Sequence, residues 1–394
     1  MNILSFSYCF PNKNRPTWGI FVFQRLKAIS NLVNLKLYSP VPWFPIYSFI
    51  KDKSLPTEEN WDGLQVFRPR FFYFPKFLKD YDARFYAWGI KSRLKKFSKT
   101  WKPDILDAHF IWPDGVGVSI LARKFNIPYT ITLRGKLFEC EQHPRQLKQC
   151  ISALKNADAI IAVSRGLAQR AMDIGVNPNK VFLVPNGVDK ALFHPMDKIK
   201  CRQNVGLPLH NRILVTVAHL GHRKGHHEVI EALSYLPEDV KLVIVGGSAQ
   251  GGTPETIKRV AQKHGVQGRI ILPGPQPHYK IPFYFNAADA SVLASYREGC
   301  PNAVLESLAC GTPVIATNVG SVKDILPTPH CGFIVPPREV HPLRQALSKA
   351  IETDWDKDNI IGVSNIKGWD EVGLEVVKIF QKIRRNETRS LHNN

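Results

Sequence analysis

Short apolar runs alternate with longer segments of mixed polarity along most of the chain. Each run has the length of a buried strand, and several of the segments between runs have the composition of helices. This alternation predicts an α/β protein with parallel sheets. The predicted strands lie at 1–9, 35–38, 103–109, 128–133, 157–164, 181–185, 212–217, 240–246, 269–273, 291–294, 313–317 and 332–336. The predicted helices lie at 21–32, 115–125, 228–236, 301–310 and 372–383.

The most informative stretch is 288–321, which reads ADASVLASYREGCPNAVLESLACGTPVIATNVGS. After the strand at 291–294, a polar loop leads into an apolar helix that starts at Pro301, whose fixed φ suits a first helical turn. Gly311 is a helix stop, and the next strand follows it. The stretch is therefore a βαβ unit, with its loop at the carboxyl end of a parallel sheet, where open α/β sheets bind ligands.

Two carboxylates lie in this unit, Glu298 in the loop and Glu306 inside the helix. The start of the helix between them offers unpaired N–H groups and a positive dipole end, which suit a diphosphate. A carboxylate can accept hydrogen bonds from two neighbouring hydroxyls, and Gly299 leaves room for a ligand near the backbone. We interpret the loop as a cradle for a nucleotide sugar. The alternative is that both glutamates are ordinary surface charges.

The pattern E-G-x-P-N-x-x-x-E followed by G-T-P-V-I-A-T resembles the signature of retaining GT-B glycosyltransferases. More narrowly, it is similar to the bacterial family 4, group 1 enzymes that build exopolysaccharide, lipopolysaccharide and teichuronic acid. The resemblance implies two Rossmann-like doubly wound domains that face each other across a cleft. It implies transfer of a hexosyl group from a nucleotide diphosphate sugar to a glycan, such as one on an undecaprenyl-diphosphate lipid, with retained configuration and without a metal or cofactor.

The resemblance extends to individual positions. Lys224 matches a lysine that clamps the donor diphosphate, where an ammonium can neutralise a leaving group as a divalent metal would. His219 stands where relatives often carry arginine, and Arg134 stands where many carry a histidine that contacts the donor sugar. For Gly19, after the first strand, a plain turn remains the alternative. The implied catalytic residues are Lys224, Glu298 and Arg134, and the implied donor contacts are Gly19, His219, Lys224, Gly299, Cys300, Pro301, Asn302, Leu305 and Glu306.

The segment Pro185-Asn186-Gly187-Val188-Asp189 contains a turn signal and resembles the family motif just before the domain crossover. We therefore expect an acceptor-binding domain at 1–195 and a nucleotide-sugar-binding domain at 205–365. A helix at 366–385 is expected to cross back onto the first domain, followed by a frayed tail at 386–394.

Charge is distributed unevenly. The chain carries +20 in total, and residues 1–190 contribute +15 of it, with 29 basic and 14 acidic side chains. The segment 41–101 interleaves lysine and arginine with aromatics, a composition typical of proteins at an anionic membrane surface. Two alternatives stay open: an aromatic core with a solvated lysine face, and nucleic-acid binding. The aromatics of this segment include Trp43, Phe44, Tyr47, Phe49, Phe71, Phe72, Tyr73, Phe74, Phe77, Phe85, Tyr86 and Trp88.

Seven cysteines without a C-x-x-C pair, and an amino end that does not resemble an export signal, favour free thiols in a reducing compartment. We expect a cytoplasmic protein, peripheral at the inner face of the cytoplasmic membrane. Asp80 and Asp82 form a D-x-D, the metal site of the other glycosyltransferase architecture. They do not follow a buried strand, so we expect no metal there.

Two other functions compete with glycosyl transfer. A nucleotide-sugar epimerase or a phosphorylase could use the same fold. An epimerase would form an epimer when it is incubated with the nucleotide sugar and no acceptor. The combination of Lys224 with the two glutamates argues against both. A basic nucleic-acid-binding protein would instead bind DNA or RNA in a strongly salt-sensitive manner.

Overall fold

The computed structural model describes residues 1–44 and 54–392, with side chains as far as residue 385. Tyr47 and Phe49, two of the aromatics considered above, lie outside the described residues. The chain forms two compact units, Met1–Asn186 together with Trp369–Asn394, and Gly187–Gly368. Within the described residues, no helix is both long and apolar enough to cross a bilayer.

The first unit is built on an eight-stranded sheet in the order β10-β9-β8-β7-β1-β2-β5-β4. All neighbouring pairs are parallel except β4–β5, which is antiparallel. The strands β3 and β6 form a separate, two-stranded parallel sheet in the same unit. The strands are β1 Asn2–Phe6, β2 Asn34–Tyr38, β3 Val41–Trp43, β4 Glu58–Trp61, β5 Leu64–Phe67, β6 Arg70–Phe72, β7 Ile105–Ala108, β8 Tyr129–Leu133, β9 Ala159–Ala162 and β10 Val181–Leu183.

The central strands of this sheet are buried along their whole length, as parallel strands covered by helices on both faces must be. The helices of the first unit are α1 Ile20–Ser30, α2 Asp82–Phe97, α3 Val116–Phe125, α4 Leu137–Cys140, α5 Pro144–Asn156 and α6 Arg165–Asp173, and the unit also includes the last helix of the chain, Trp369–His392.

The second unit has a six-stranded, all-parallel sheet in the order β13-β12-β11-β14-β15-β16. One apolar cluster lies on each face of this sheet, so the sheet is doubly wound. Its strands are β11 Arg212–Val217, β12 Val240–Val245, β13 Ile270–Gly274, β14 Ala290–Leu293, β15 Val314–Thr317 and β16 Gly332–Val335. Its helices are α7 Lys198–Val205, α8 His226–Leu233, α9 Pro254–Lys263, α10 Ile281–Ala287, α11 Asn302–Ala309, α12 Val322–Ile325, α13 Val340–Glu352 and α14 Lys357–Val363.

The last helix, α15 Trp369–His392, packs on α1 of the first unit. Val372, Val376 and Phe380 are buried there in the same apolar cluster as α1. The sequence predicts that the helix ends near residue 385 and that a frayed tail follows. In the structure the helix continues to His392. The sequence after Ile383 contains no glycine or proline to stop it. The α/β class and the two Rossmann-like sheets are confirmed.

Candidate functional site

The predicted strand–loop–helix–strand unit is present in the second unit as β14, the loop 294–301, α11 and β15. The helix begins one residue later than expected, because Pro301 is the N-cap residue with φ −77° and ψ 106°. It ends at Ala309, and Gly311 follows in the left-handed conformation with φ +68°. The loop lies at the carboxyl end of β14, where a parallel sheet offers its ligand site.

Lys224 and Glu298 form an ion pair in which Nζ donates to Oε1 at 2.5 Å. Both side chains are largely buried, with exposures of 14% and 12%. Lys224 lies in the short turn after β11, and Glu298 lies in the loop after β14. The two loops meet because β11 and β14 are neighbours in the sheet. A partly buried ammonium beside a carboxylate can hold a diphosphate on one side and sugar hydroxyls on the other.

The same two loops touch through their backbones. The N–H of Tyr296 donates to the carbonyl of Arg223 at 2.9 Å. Gly225 has φ +69°, and a Cβ at this position would lie 2.0 Å from the carbonyl oxygen of Ala294. Any side chain at Gly225 would therefore push the loops apart. This contact between the two loops was not predicted from the sequence, although the glycine of the Lys224-Gly225 pair is typical of a close backbone approach.

Glu306 lies in the second turn of α11, and its Oε1 is 3.4 Å from Nε2 of His278. The imidazole of His278 packs edge-on against Phe193, with ring centroids 5.2 Å apart. His278 follows β13, so a third loop of the same sheet edge reaches the predicted donor site. Sequence reasoning missed this histidine as a partner of Glu306.

Gly320 is a second residue that sequence reasoning missed. It has φ +57°, and a Cβ there would lie 2.4 Å from the carbonyl oxygen of Gly299 and 2.8 Å from that of Glu298. The carbonyl of Gly299 also accepts a hydrogen bond from the N–H of Ser321 at 3.1 Å. The loop after β15 therefore supports the loop that carries Glu298.

Three more predicted donor contacts lie at the start of α11. Cys300 is half-buried and packs against the core, and Asn302 is the first residue of the helix. The side chain of Leu305 is 1% exposed and belongs to that core. A direct contact between the Leu305 side chain and a donor is therefore not available, because the apolar face of the short helix must pack on the sheet.

His219 lies in the loop after β11, and its Nδ1 accepts a hydrogen bond from the N–H of Gly221 at 3.1 Å. Burial lowers the pKa of His219, and the charges of Lys224 and Arg223 lower it further. The imidazole is therefore neutral near pH 7. Unlike an arginine, it adds no positive charge to the site.

Arg134, in the first unit, lies in the turn after β8, where its Nη1 donates to Oδ1 of Asn186 at 2.7 Å. Its guanidinium carbon is 5.0 Å from the ring centre of Phe21. Asn186 belongs to the Asn-Gly turn, so two motifs that are separate in the sequence are joined. The hydrogen bond fixes the guanidinium in one direction, as a residue that holds a ligand requires.

Gly19 is the N-cap residue of α1, with φ +76°. A Cβ there would lie 2.4 Å from the carbonyl oxygen of Cys9. Both the left-handed backbone and the close approach demand glycine, so packing within the first unit is sufficient to explain this residue.

Asp80 and Asp82 of the D-x-D sequence are engaged with cations. Lys79 pairs with Asp82 at 2.5 Å, and Arg145 lies 3.8 Å from Asp80. Each of the two carboxylates therefore already has a cationic side chain beside it.

Two family models match adjacent parts of the chain: Glycosyltransferase Family 4 over residues 47–192 and Glycosyl transferases group 1 over residues 197–364. Among curated proteins, the chain is 29% identical to TuaC of Bacillus subtilis, assigned as a teichuronic acid biosynthesis glycosyltransferase, over 363 residues that cover 89% of each chain.

Solved structures show the same fold at lower identity. Sucrose-phosphate synthase from Thermosynechococcus elongatus is 20% identical, with a TM-score of 0.79 over 97% of this chain and 98% of that one. The Anabaena protein HepE, solved in complex with UDP-glucose, is 20% identical, with a TM-score of 0.72 over 99% of this chain and 100% of that one.

Proposed function

Since the chain belongs to the GT-B glycosyltransferases of family 4, group 1, we propose that it transfers a hexosyl group from a nucleotide diphosphate sugar to a glycan, with retained anomeric configuration, in cell-surface polysaccharide biosynthesis. The observation that carries this proposal is the partly buried Lys224–Glu298 pair, whose glutamate lies in the loop that leads into α11. The helix end and Lys224 bind the diphosphate, and Glu298 accepts hydrogen bonds from the sugar hydroxyls.

In this mechanism the negative charge that develops on the leaving diphosphate is stabilised by Lys224 and by the backbone N–H groups of α11. Arg134 can only donate, so it stabilises negative charge or holds a sugar hydroxyl, and it does not act as a base. Glu306 binds the ribose hydroxyls of the donor. We propose that the reaction requires no metal or cofactor, because the protein's own cation lies where the charge develops.

We further propose that the enzyme is cytoplasmic and works at the inner face of the cytoplasmic membrane on a lipid-linked acceptor. The support is a row of exposed residues on α2 and the turn before it, namely Tyr81, Arg84, Trp88, Lys91 and Lys95, spaced three or four apart along one helical face. Trp88 is 62% exposed. Other aromatics of this segment, such as Phe71 and Tyr86, are buried in the core.

Donor binding is tested by thermal unfolding of the full chain with a panel of nucleotides, including UDP and GDP, and their sugar conjugates. A fitting donor at 100 times its Kd should stabilise the protein by roughly 2.7 kcal/mol. Glu306→Gln should weaken binding of the nucleotide that stabilises the wild-type chain by at least roughly tenfold in Kd. Glu352→Gln, an exposed position at the end of α13, is the matched control and should change nothing. If no nucleotide stabilises the wild-type chain, the proposal is wrong.

A further inference from the structure

Tyr296 lies in the loop after β14, two residues before Glu298, and it is joined to the loop after β11 by both its backbone and its side chain. Its N–H donates to the carbonyl of Arg223, and its hydroxyl donates to Oε1 of Glu228 at 2.6 Å. Glu228 lies in the first turn of α8. The two partners of Tyr296 therefore flank Lys224 in the chain, one on each side of it.

We propose that Tyr296 and Glu228 are positioning residues for the proposed glycosyl transfer. Their hydrogen bond holds the loop after β11 against the loop after β14, and thereby sets the separation of Lys224 and Glu298. The inference rests on the proposed function and extends it, because it names what keeps the two site residues in place. Neither positioning residue has to contact the donor, since both act through the ion pair.

The hydrogen bond between Tyr296 and Glu228 has the length of a strong one. An O–H···O distance of 2.6 Å is typical of a hydroxyl that donates to an ionised carboxylate. Burial raises the pKa of the Tyr296 phenol, and the hydrogen bond to Glu228 and the charge of that residue raise it further. The phenol therefore stays protonated and remains a donor throughout the neutral pH range.

The carboxylate of Glu228 depends on this phenol. Its second oxygen, Oε2, is buried and has no hydrogen-bond partner among the residues that the structure describes. Removal of the hydroxyl would therefore leave a half-buried carboxylate without the donor that holds its other oxygen. Because an unsatisfied buried group is unfavourable, we expect the carboxylate to seek water or another donor and the first turn of α8 to shift with it.

Two further side chains hold the ring of Tyr296. The guanidinium carbon of Arg338 is 4.6 Å from the ring centre, and the imidazole of His222 lies edge-on to the ring with centroids 5.4 Å apart. Arg338 lies between β16 and α13, and His222 lies in the loop after β11. Three loops of one sheet edge therefore meet at this phenol, which restricts the direction of its hydroxyl.

The side-chain link adds a constraint that the backbone contacts lack. The contacts of the Tyr296 and Gly225 backbones alone would leave a hinge between the two loops. The link to α8 lies on the other side of Lys224 in the chain and removes this freedom. A displacement of about 1 Å at a reacting group can cost on the order of 100-fold in rate, so the link matters to a lysine that stabilises the leaving diphosphate.

The first test needs no ligand. The full chain is labelled with ¹³C-lysine, and the side-chain NMR signal of Lys224 is assigned by its absence in Lys224→Arg. We expect Tyr296→Phe, which keeps the ring and removes the hydroxyl, to shift this signal. Glu228→Ala should also shift it, whereas Glu228→Gln should shift it less, because the amide oxygen still accepts from the phenol.

Tyr235→Phe is the matched control. Tyr235 also lies in the second unit and also has a cation on its ring, since the guanidinium carbon of Arg344 is 4.8 Å from the ring centre. It is 58% exposed, and its substitution should leave both the Lys224 signal and kcat unchanged. An unchanged Lys224 signal in both Tyr296→Phe and Glu228→Ala would overturn the inference.

The second test is the release of UDP or GDP from UDP-glucose, UDP-N-acetylglucosamine and GDP-mannose, with water as the acceptor. With a nucleotide sugar that the wild-type chain cleaves, Tyr296→Phe should lower kcat roughly tenfold or more and change KM less than roughly threefold. When Lys224→Ala is already present, the same substitution should change kcat less than roughly twofold, because it acts through the lysine. A full effect in the absence of the lysine would contradict the positioning role.

The two tests separate this inference from the proposed function. If no nucleotide stabilises the wild-type chain and none of the three nucleotide sugars is cleaved, the proposed function is wrong, and the Lys224 signal still decides whether Tyr296 sets the geometry of the ion pair. If the wild-type chain cleaves a nucleotide sugar and Tyr296→Phe cleaves it equally fast, the positioning role alone is wrong.

Discussion

The pairing of Lys224 with Glu298 changes what each residue is expected to do. The sequence motifs suggested a lysine for the diphosphate and a glutamate for the sugar, as separate contacts. In the structure Nζ of Lys224 lies 2.5 Å from Oε1 of Glu298, so each of these partly buried charges has a partner of opposite sign within the protein. In the proposed mechanism, the donor's diphosphate and sugar hydroxyls take over part of this mutual hydrogen bonding.

Removing the cation should slow the chemical step. Lys224→Ala is expected to lower kcat by on the order of 100-fold or more, since a transition-state charge contact is lost. Lys224→Arg should retain more activity because it keeps the charge. The measurement is initial-rate kinetics with saturating donor, and Lys263→Ala, an exposed position in the last turn of α9, is the control. An unchanged kcat in Lys224→Ala would remove this residue from the mechanism.

Asp114 gives a prediction about pH. Burial raises its pKa to about 7, although the N–H of Tyr8 donates to both carboxylate oxygens at 3.2 Å and lowers it. A carboxyl group whose pKa is higher in the folded state stabilises the fold fully below its unfolded value of about 4, and this contribution is lost as the pH rises toward 7. Asp114→Asn mimics the protonated form.

We therefore expect the Asn variant to gain stability relative to wild type between pH 5 and pH 8, by up to about 4 kcal/mol. The measurement is urea unfolding of both proteins across this range, compared as a difference at each pH. A difference that does not depend on pH would show that Asp114 stays ionised throughout.

At the scale of elements, the fully buried strands were the most predictable. The strands β11, β12, β14 and β15 were predicted to within two residues, because a parallel strand covered on both faces is a continuous apolar run. The hairpin β4–β5 was missed, because its strands have mixed polarity. Its turn could have been predicted, because Asp-Gly is a typical sequence for a two-residue hairpin turn. In the structure Asp62 and Gly63 have φ +47° and +85°, as such a turn requires.

The contacts of the candidate site were less predictable than its residues. Lys224 and Glu298 are 74 positions apart, and they meet only because β14 inserts next to β11 in the sheet. Strand order is set by the packing of the whole sheet and leaves no local trace. The same reason explains why the links from Arg134 to Asn186 and from Glu306 to His278 were not anticipated.

The exposed face of α2 leads to a prediction about membranes. Reversing the charge of Lys91 and Lys95 to Glu should weaken binding to vesicles containing phosphatidylserine at least roughly tenfold, since each basic residue near such a surface contributes about 1 kcal/mol. Sedimentation with vesicles measures this. The control is Arg259→Glu with Lys263→Glu, an exposed pair with the same spacing on α9.

Vesicles of phosphatidylcholine alone should bind the wild-type chain weakly. Equal binding to neutral and anionic vesicles, or unchanged binding in the α2 variant, would contradict a membrane role for this face. Salt-sensitive binding to DNA in place of vesicles would support the nucleic-acid alternative instead.

At the scale of the whole molecule, the first unit is completed by the last helix of the chain. Its apolar cluster combines residues of β1, α1 and β7 with Val372, Val376 and Phe380 of α15. Gly373 lies against α1, where a Cβ would be 3.0 Å from that of Ala28, so the two helices approach closely. The first unit is therefore discontinuous in sequence, whereas the second is a single segment.

This arrangement predicts where damage to α15 is felt. Phe380 is fully buried, so Phe380→Ala should destabilise the first unit by about 3–5 kcal/mol. Leu374, on the same helix, is 48% exposed, and Leu374→Ala should change stability by about 0.5 kcal/mol or less. Hydrogen exchange resolves the effect by element: exchange in α1 and β1 should accelerate in the Phe380 variant, and exchange in β11 and β14 should not. Acceleration in the second unit's sheet to the same degree would mean that the two units unfold together, and that α15 stabilises the donor site as well.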